Sequence, residues 1–358
     1  MSLTLIDTPE ILASYLKTSQ FDHEHPVCAI DTEADSLHRY RESLCLIQFA
    51  AGDDCLLMDP LAIHDLSALG DFLSRAVVWM HGADYDMTML KRQFGHLPAT
   101  IYDTQIGARL LGVRRFGLAD LVLHYFGVEL SKSSQKADWG KRPLTPKMVE
   151  YALNDVRYLL PMAETIVSHL HAAGRYAWFA ESCDTARKKV LEREDSREDA
   201  WRIQGSGKFA PYSLACLRAL WYWRDKEASI WDRPSFMVAT NRQLLEWSTQ
   251  LALQQQPALP RHFRPERMKH FRQMLDTLHA LPESEWPERP KSQRRKRDRD
   301  FERKVEELLK TRDLAAAELD IDGALIASRA ALECVAAGET NATALLMQWQ
   351  RDILNLNG

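Results

Sequence analysis

Every stretch of this chain that reads as a β-strand falls before residue 104, and everything after reads as helix. A sheet must therefore be built from roughly the first third of the chain, with later helices left to cover it. Five stretches carry the strand signal: Val27–Thr32, Leu44–Ala50, Cys55–Met58, Val77–Met80 and Thr100–Asp103. The second and third flank Ala51-Gly52-Asp53-Asp54, a hairpin signal. A helix is expected over Thr8–Thr18, where Ile11, Leu12 and Leu16 are near helical spacing, and another over Asp84–Phe94, with Met87, Leu90 and Phe94 on one side. The first strand is the most informative, because Val27-Cys28-Ala29-Ile30-Asp31-Thr32-Glu33 is an apolar run ending in two acids two residues apart. Strand side chains alternate, so Asp31 and Glu33 share a face. Two carboxylates at the end of a buried strand repel each other and resist desolvation unless a cation lies between them. A hard, oxygen-seeking ion such as Mg²⁺ or Mn²⁺ suits that donor pair. Taken alone, the pair also reads as a turn-capping Asp31 beside a solvated Glu33; the acids downstream give it weight.

Asp86 follows the fourth strand in His81-Gly82-Ala83-Asp84-Tyr85-Asp86, inside the first turns of a helix, where the helix dipole favours a carboxylate. Asp84 opens that helix and is expected to cap it. Further on, Thr145 before Pro146 marks a helix start, since threonine can cap and proline loses nothing at the first helical position. Met148, Ala152, Val156 and Leu159 supply the core face of this helix, which is expected to run to about Leu170 despite Pro161. Tyr151 and Asp155 lie four apart on it and so share a face, an arrangement also common in plain surface contacts. Together Asp31, Glu33, Asp86 and Asp155 are four carboxylates on three elements. That number suits two divalent ions roughly 4 Å apart, which can clamp the attacking and leaving oxygens of a phosphodiester.

The 358 residues leave room for two or three domains, and a hydrophobic fraction of 46% with 10 Trp and 12 Phe fits a globular protein. No apolar run approaches the roughly 20 residues that a membrane helix needs. Met1 to Glu10 lacks the basic-then-apolar layout of a secretion signal. The six cysteines have no Cys-x-x-Cys spacing, which argues against zinc and a disulfide framework, so a reducing cytoplasm is expected. The net charge of −4 gives no overall nucleic-acid signal. Yet Lys291, Arg294, Arg295, Lys296, Arg297, Arg299, Arg303 and Lys304 crowd one stretch, which reads equally as a phosphate track or a solvated linker. Gln204–Lys208 is read as a first domain boundary and Pro282–Arg299 as a second. Between them, Leu214, Leu217, Trp221, Arg224 and Ala228 recur at helical steps, and helices over Asn241–Leu251 and Pro265–Leu278 complete a small bundle. Beyond, helices over Phe301–Leu319, Asp322–Ala337 and Asn341–Leu354 form a last group, whose Ala-rich faces are expected to pack weakly and to be mobile.

In order and spacing these motifs resemble the 3′→5′ exonucleases of the four-acid (DEDD) superfamily and, within it, the ribonuclease D family. The first motif matches Asp31-Thr32-Glu33, the second His81 through Asp86, and the third Tyr151-x-x-x-Asp155, whose tyrosine indicates the tyrosine subgroup. Lesser matches are Leu46-Ile47-Gln48, Met58-Asp59-Pro60, Ile101-Tyr102-Asp103-Thr104-Gln105 and Asp138-Trp139-x-x-Arg142-Pro143-Leu144. The likeness covers about residues 20 to 170. Leu217-x-x-Leu220-x-x-Trp223-Arg224 and the Pro265 helix resemble the helicase-and-ribonuclease-D C-terminal (HRDC) module, and the last group resembles a diverged second copy.

The resemblance implies an α/β exonuclease domain over 1–200, with a ribonuclease H-like mixed sheet and helices on both faces. One or two all-α bundles would follow, at 208–285 and 300–358. It implies that Asp31, Glu33, Asp86, Tyr151 and Asp155 are catalytic, the four acids holding two divalent ions, Mg²⁺ or Mn²⁺, and Tyr151 aligning the attacking water. The expected reaction is hydrolysis of RNA from a free 3′ end to nucleoside 5′-monophosphates. Transfer-RNA precursors or small stable RNAs are the expected partners, with no membrane and a monomeric enzyme. Asp103 is expected to be a structural support, and Glu24, Asp35, His81 and Asp138 to serve loops or back up the site. Two rivals carry the same residues: a DNA-directed exonuclease, distinguished by contact to the 2′-hydroxyl, and a non-catalytic RNA-binding scaffold, disfavoured because bare acids repel phosphate.

Overall fold

A computed structural model describes residues 4–194, 199–261, 263–289, 299–338 and 341–356. They separate into two compact units, one of Met1–Ala34, Leu44–Arg193 and Arg295–Gly358, the other of Asp35–Ser43 and Glu194–Arg294. The first unit opens with β1 (Leu5–Ile6), α1 (Pro9–Leu16), β2 (Val27–Ala34), β3 (Leu44–Ala51), β4 (Asp54–Met58), α2 (Ser67–Arg75), β5 (Val77–Met80), α3 (Asp84–Phe94) and β6 (Thr100–Asp103). It continues through α4 (Thr104–Leu110), α5 (Leu118–Phe126), α6 (Pro146–Arg157), α7 (Leu159–Ala172) and α8 (Tyr176–Glu192). The six strands form one mixed sheet in the order β1-β4-β3-β2-β5-β6. β3 is antiparallel to β2 and β4, and the remaining pairs are parallel.

β3 is buried along its whole length, which is why it reads as an apolar run interrupted only by Gln48. On β2 alternation sorts the side chains. Cys28 and Ile30 join the core formed with Leu12, Phe72 and Leu90 of α1, α2 and α3, whereas Ala29 packs with Val156 and Leu159 from α6 and α7. Asp31 and Glu33 continue that second side. The register of β2 with β5 ends at Ala29↔Trp79, while with β3 it runs on through Asp31↔Gln48 and Glu33↔Leu46. The acid-bearing end of β2 thus has a strand on one side only, and this is the carboxyl end of the parallel strands, where open α/β sheets place their sites.

Two expectations are corrected. The helix from Pro146 does not run on to Leu170: α6 closes at Arg157, Tyr158 leaves the helix, and α7 starts at Leu159. Pro161, which has no N–H to donate, falls in the first turn of α7, where amides lack intrahelical acceptors anyway. β1, only two residues long, carried no periodic signal.

The second unit is helical, with α9 (Pro211–Trp231), α10 (Ser235–Val238), α11 (Asn241–Ala252) and α12 (Pro265–His279) around Leu217, Leu220, Trp223, Trp247 and Phe271. The nine residues between β2 and β3 belong to it: the Tyr40 hydroxyl donates to Asp225 at 2.7 Å, and Arg233 donates to the His38 carbonyl at 3.0 Å.

The last group comprises α13 (Arg299–Glu318), α14 (Gly323–Ile326), α15 (Arg329–Ala336), α16 (Ala342–Leu345) and α17 (Gln348–Leu354). Against the expected weak packing, Ile326 and Leu332 are fully buried in one apolar cluster with Phe179 and Cys183 of α8. Trp349 stacks on Trp178 at 5.1 Å. The reason is that α8 presents aromatic side chains to which the small alanine faces can come close. Of the basic run, Lys291, Arg294, Arg295, Lys296 and Arg297 lie outside the described residues, and Arg303 and Lys304 pair with Asp300. Among the described residues no helix is long and apolar enough to cross a membrane.

Candidate active site

Two elements bring three of the four expected acids together, and a third places Asp86 nearby. β2 supplies Asp31 and Glu33 on one face, and α6 lays Asp155 over them. Asp31, Glu33 and Asp155 each offer a carboxylate oxygen within 4.8 Å of the others. α6 is set there by its N-terminal cap and its sheet-facing side: the Thr145 hydroxyl accepts the Met148 N–H at 3.3 Å, and Met148 and Ala152 pack on Cys45, Leu46 and Leu57 of β3 and β4. Asp86, third residue of α3, stands apart from that triad. Its Oδ1 accepts the Thr32 N–H at 3.0 Å and the Thr32 hydroxyl at 2.5 Å, tying the start of α3 to the end of β2. It is nevertheless close enough to raise the proton affinity of Asp31, Glu33 and Asp155.

The electrostatics follow from burial without compensation. Burial first, then Asp86, Asp155 and Glu33, hold Asp31 well above the usual carboxylate range. Glu33 is pushed up to about 9 by burial, Asp155 and Asp86. Asp155 is raised to about 7, mainly by burial and against a hydrogen bond from Tyr151, and Asp86 to about 6, by burial against its bonds from Thr32. Among the described residues no lysine or arginine enters the surroundings that shift these four groups. Like charges gathered this closely, half-buried and without a counter-charge, fit divalent cations, and an all-oxygen donor set fits Mg²⁺ or Mn²⁺ rather than zinc. The Tyr151 phenol is driven upward by burial and by Asp155, Glu33 and Asp31, so it stays protonated and donates to Asp155.

The supporting residues are equally specific. Asp103, at the end of β6, accepts the N–H groups of Gly82 and Ala83, both at 2.9 Å, and that of Gln105 at 2.8 Å, so one carboxylate fixes the turn leading to Asp86. The Gly82 turn needs φ +69°, a conformation that glycine adopts freely. Asp84 does not cap α3, contrary to expectation: Ala83 is the cap residue, and the exposed Asp84 carboxylate pairs with Arg193 at 2.7 Å. Two of the lesser motifs meet. Arg142 forks onto Asp59, Nε to Oδ2 at 2.5 Å and Nη2 to Oδ1 at 2.7 Å, and also donates to the Cys45 and Trp139 carbonyls at 2.7 Å. Trp139 is thereby seated 6.0 Å from the Tyr151 ring. Each motif was visible in sequence; their pairing across 83 residues was not. Among the residues expected to serve loops or the site's surroundings, Asp35 accepts the Ser43 N–H at 2.7 Å, His81 bonds the Thr104 hydroxyl at 2.9 Å, Asp138 pairs with Lys141 at 3.8 Å, and Glu24 is exposed beside His25.

With this geometry the comparisons with known proteins agree. A model of the 3′-5′ exonuclease family matches residues 4–171. Ribonuclease D of Escherichia coli (strain K12) is 35% identical over 234 residues, 64% of this chain and 61% of that protein. Ribonuclease D of Xanthomonas oryzae pv. oryzae is 34% identical over 226 residues, 62% and 61% of the two. The chain thus spans about 61% of the length of these relatives. The crystal structure of E. coli RNase D, described as an exoribonuclease involved in structured RNA processing, matches with a TM-score of 0.75 at 26% identity, over 99% of each chain. A protein from Bifidobacterium adolescentis shares the fold, with a TM-score of 0.80 at 24% identity over 98% of this chain and 94% of that one. Residues 4–171 therefore match the 3′-5′ exonuclease family model, and the chain is similar to ribonuclease D in sequence and in fold.

Proposed function

We propose that the chain is a metal-dependent 3′→5′ exoribonuclease that shortens RNA from a free 3′ end and releases nucleoside 5′-monophosphates. The observation that supports this most is the meeting of three carboxylates at the open end of β2, with Asp86 near enough to raise their proton affinity and no lysine or arginine of the described residues among the groups that shift them. On this reading Asp31, Glu33, Asp86 and Asp155 hold two divalent ions, Mg²⁺ or Mn²⁺, which when bound supply charge neutralisation at the scissile phosphate and an acidified water. Asp86 has one oxygen committed to Thr32 and offers the other, so it holds its ion less directly than Asp31 does. Tyr151, kept protonated by the acids around it, is an orienting donor and not a base; it holds Asp155 and the attacking water in line. Residues 208–285 are proposed as an HRDC-type module that binds RNA beyond the site, and transfer-RNA precursors or other small stable RNAs are the proposed substrates. None of the six cysteines is in a disulfide, and a reducing cytoplasm is the proposed setting.

The test pairs matched 3′-labelled RNA and DNA strands with Mn²⁺. Wild-type protein should release mononucleotides from RNA in preference to DNA. Tyr151→Phe should lower kcat by about 10–100-fold with little change in KM, because an aligning hydrogen bond is lost while the ligands stay. Full activity in EDTA, or faster digestion of DNA, would remove the reading.

The proton affinities carry a second expectation. Glu33, Asp155 and Asp86 hold protons more tightly folded than unfolded, where a carboxyl titrates near 4. Their contribution to stability is therefore complete below about pH 4 and is lost as pH rises through about 6 to 9. Divalent ions compete with those protons and bind only the folded acids, so the rise in Tm on adding Mn²⁺ should be small at pH 5 and several degrees, on the order of 5 °C, at pH 8. Equal gains at both values would speak against the acids as the ion site.

A further inference from the structure

Gln48 is the middle of β3 and has no accessible surface, and neither its side-chain nitrogen nor its side-chain oxygen has a hydrogen-bonding partner. A buried primary amide left without partners weakens a fold, and leucine or methionine at the same place would remove the penalty. Its position explains why an amide would stand there. Gln48 is paired directly with Asp31 across β2 and β3, and directly opposed residues of an antiparallel pair put their side chains on the same face, about 5 Å apart at Cβ. The neighbours of Gln48 on that face, Leu46 and Ala50, pack into the apolar clusters beneath α6 and α7. The amide is thus walled by hydrocarbon along its own strand, with the Asp31 carboxylate opposite and Asp155 on the helix above.

We propose that Gln48 is a positioning residue of the carboxylate site: its amide N–H, without a partner in this structure, donates to Asp31 when the ionised acids hold divalent cations and so keeps that carboxylate in the orientation divalent binding requires. Carboxylates that ligate metals are themselves hydrogen-bonded from behind, and removing such a partner commonly weakens metal binding by 10–100-fold. Only a strand residue on the acid-bearing face, one register step across from Asp31, can reach that carboxylate from inside the core. Gln48 meets both conditions, and its idle donors lie on the face of the sheet that carries the ionised cluster. The inference rests on the reading of the four acids as a divalent-ion site.

The test uses the full chain with Gln48→Met, which keeps the volume and removes both polar atoms, and Gln48→Leu as a second apolar variant with a different shape. Thermal unfolding in EDTA and Mn²⁺ titration by calorimetry at pH 8 are read side by side, with kcat and KM on a short RNA. The expected result is a Tm in EDTA equal to or above that of wild type, an Mn²⁺ dissociation constant weakened at least fivefold, and a lower kcat with KM unchanged. A merely structural glutamine would give the gain in Tm with no change in Mn²⁺ affinity. An affinity within twofold of wild type in whichever variant folds overturns the proposal while leaving the ion site intact. Failure of the wild-type protein to take up Mn²⁺ overturns both.

Discussion

Replacing Asp31 by asparagine should lower kcat/KM on single-stranded RNA by about 10³–10⁵-fold, while leaving the protein at least as stable in EDTA as the wild type. Asp31 is the acid that faces all the others: Asp86, Asp155 and Glu33 each raise its proton affinity, and it shares a 4.8 Å triad with Glu33 and Asp155. Asparagine keeps the shape and one oxygen but removes the charge that two divalent ions would share, so several kcal/mol of transition-state stabilisation go with it. The same charge is a liability in the metal-free fold, where it is half-buried among like charges and no lysine or arginine of the described residues relieves it. Loss of activity and retained stability must therefore appear together. Release of labelled mononucleotide with Mn²⁺, beside a melting curve in EDTA, measures both. Digestion by Asp31→Asn at the wild-type rate would mean that the four acids are not the catalytic centre.

How much of this could be read from sequence depended on how far apart the cooperating residues lie along the chain. Alternation within β2 was enough to put Asp31 and Glu33 on one face, and four-residue spacing enough to put Tyr151 beside Asp155. Those relations are local and fixed by the geometry of strand and helix. Asp84 shows where local reasoning fails. Its place before a helix favours a cap, but Arg193 is 109 residues away, and a charge-assisted pair with it supplants the weaker backbone bond. Asp103 was legible as part of a motif, yet nothing in Ile101-Tyr102-Asp103 shows that its two oxygens bind the turn beyond β5. The final helices misled for a related reason. Alanine-rich faces bury little surface among themselves, and only the arrival of Trp178 and Phe179 from α8 gives them something to cover. Likewise the loop Asp35–Ser43 looks like a plain hairpin connection until Tyr40 is seen with Asp225, 185 residues on.

The pairing of Arg142 with Asp59 has the second-largest consequence. Arg142→Ala should destabilise the first unit by about 3 kcal/mol, seen as a fall in Tm of roughly 6–12 °C. Asp59 is almost fully buried, at 4% exposure, and without the guanidinium it keeps, among the described residues, a single N–H donor, that of Leu61 at 3.0 Å. Removing one partner leaves a buried charge unpaired, which costs more than the pair itself ever contributes. Arg142→Lys should not restore the loss, because an ammonium cannot fork onto both carboxylate oxygens while also reaching the Cys45 and Trp139 carbonyls. Asp59→Asn with Arg142→Met removes both charges and should recover a substantial part of the stability, which separates an orphaned carboxylate from lost packing. The effect should also reach the reaction. Arg142 anchors Trp139, Trp139 lies against the Tyr151 ring, and Tyr151 and Asp155 share α6, so a loosened segment lets Asp155 drift from Asp31 and Glu33. Mn²⁺ affinity measured well below the Tm should therefore fall along with stability. If the Tm drops and the affinity holds, α6 is kept in place by Met148 and Ala152 on the sheet alone, and the clamp serves the fold without serving the site.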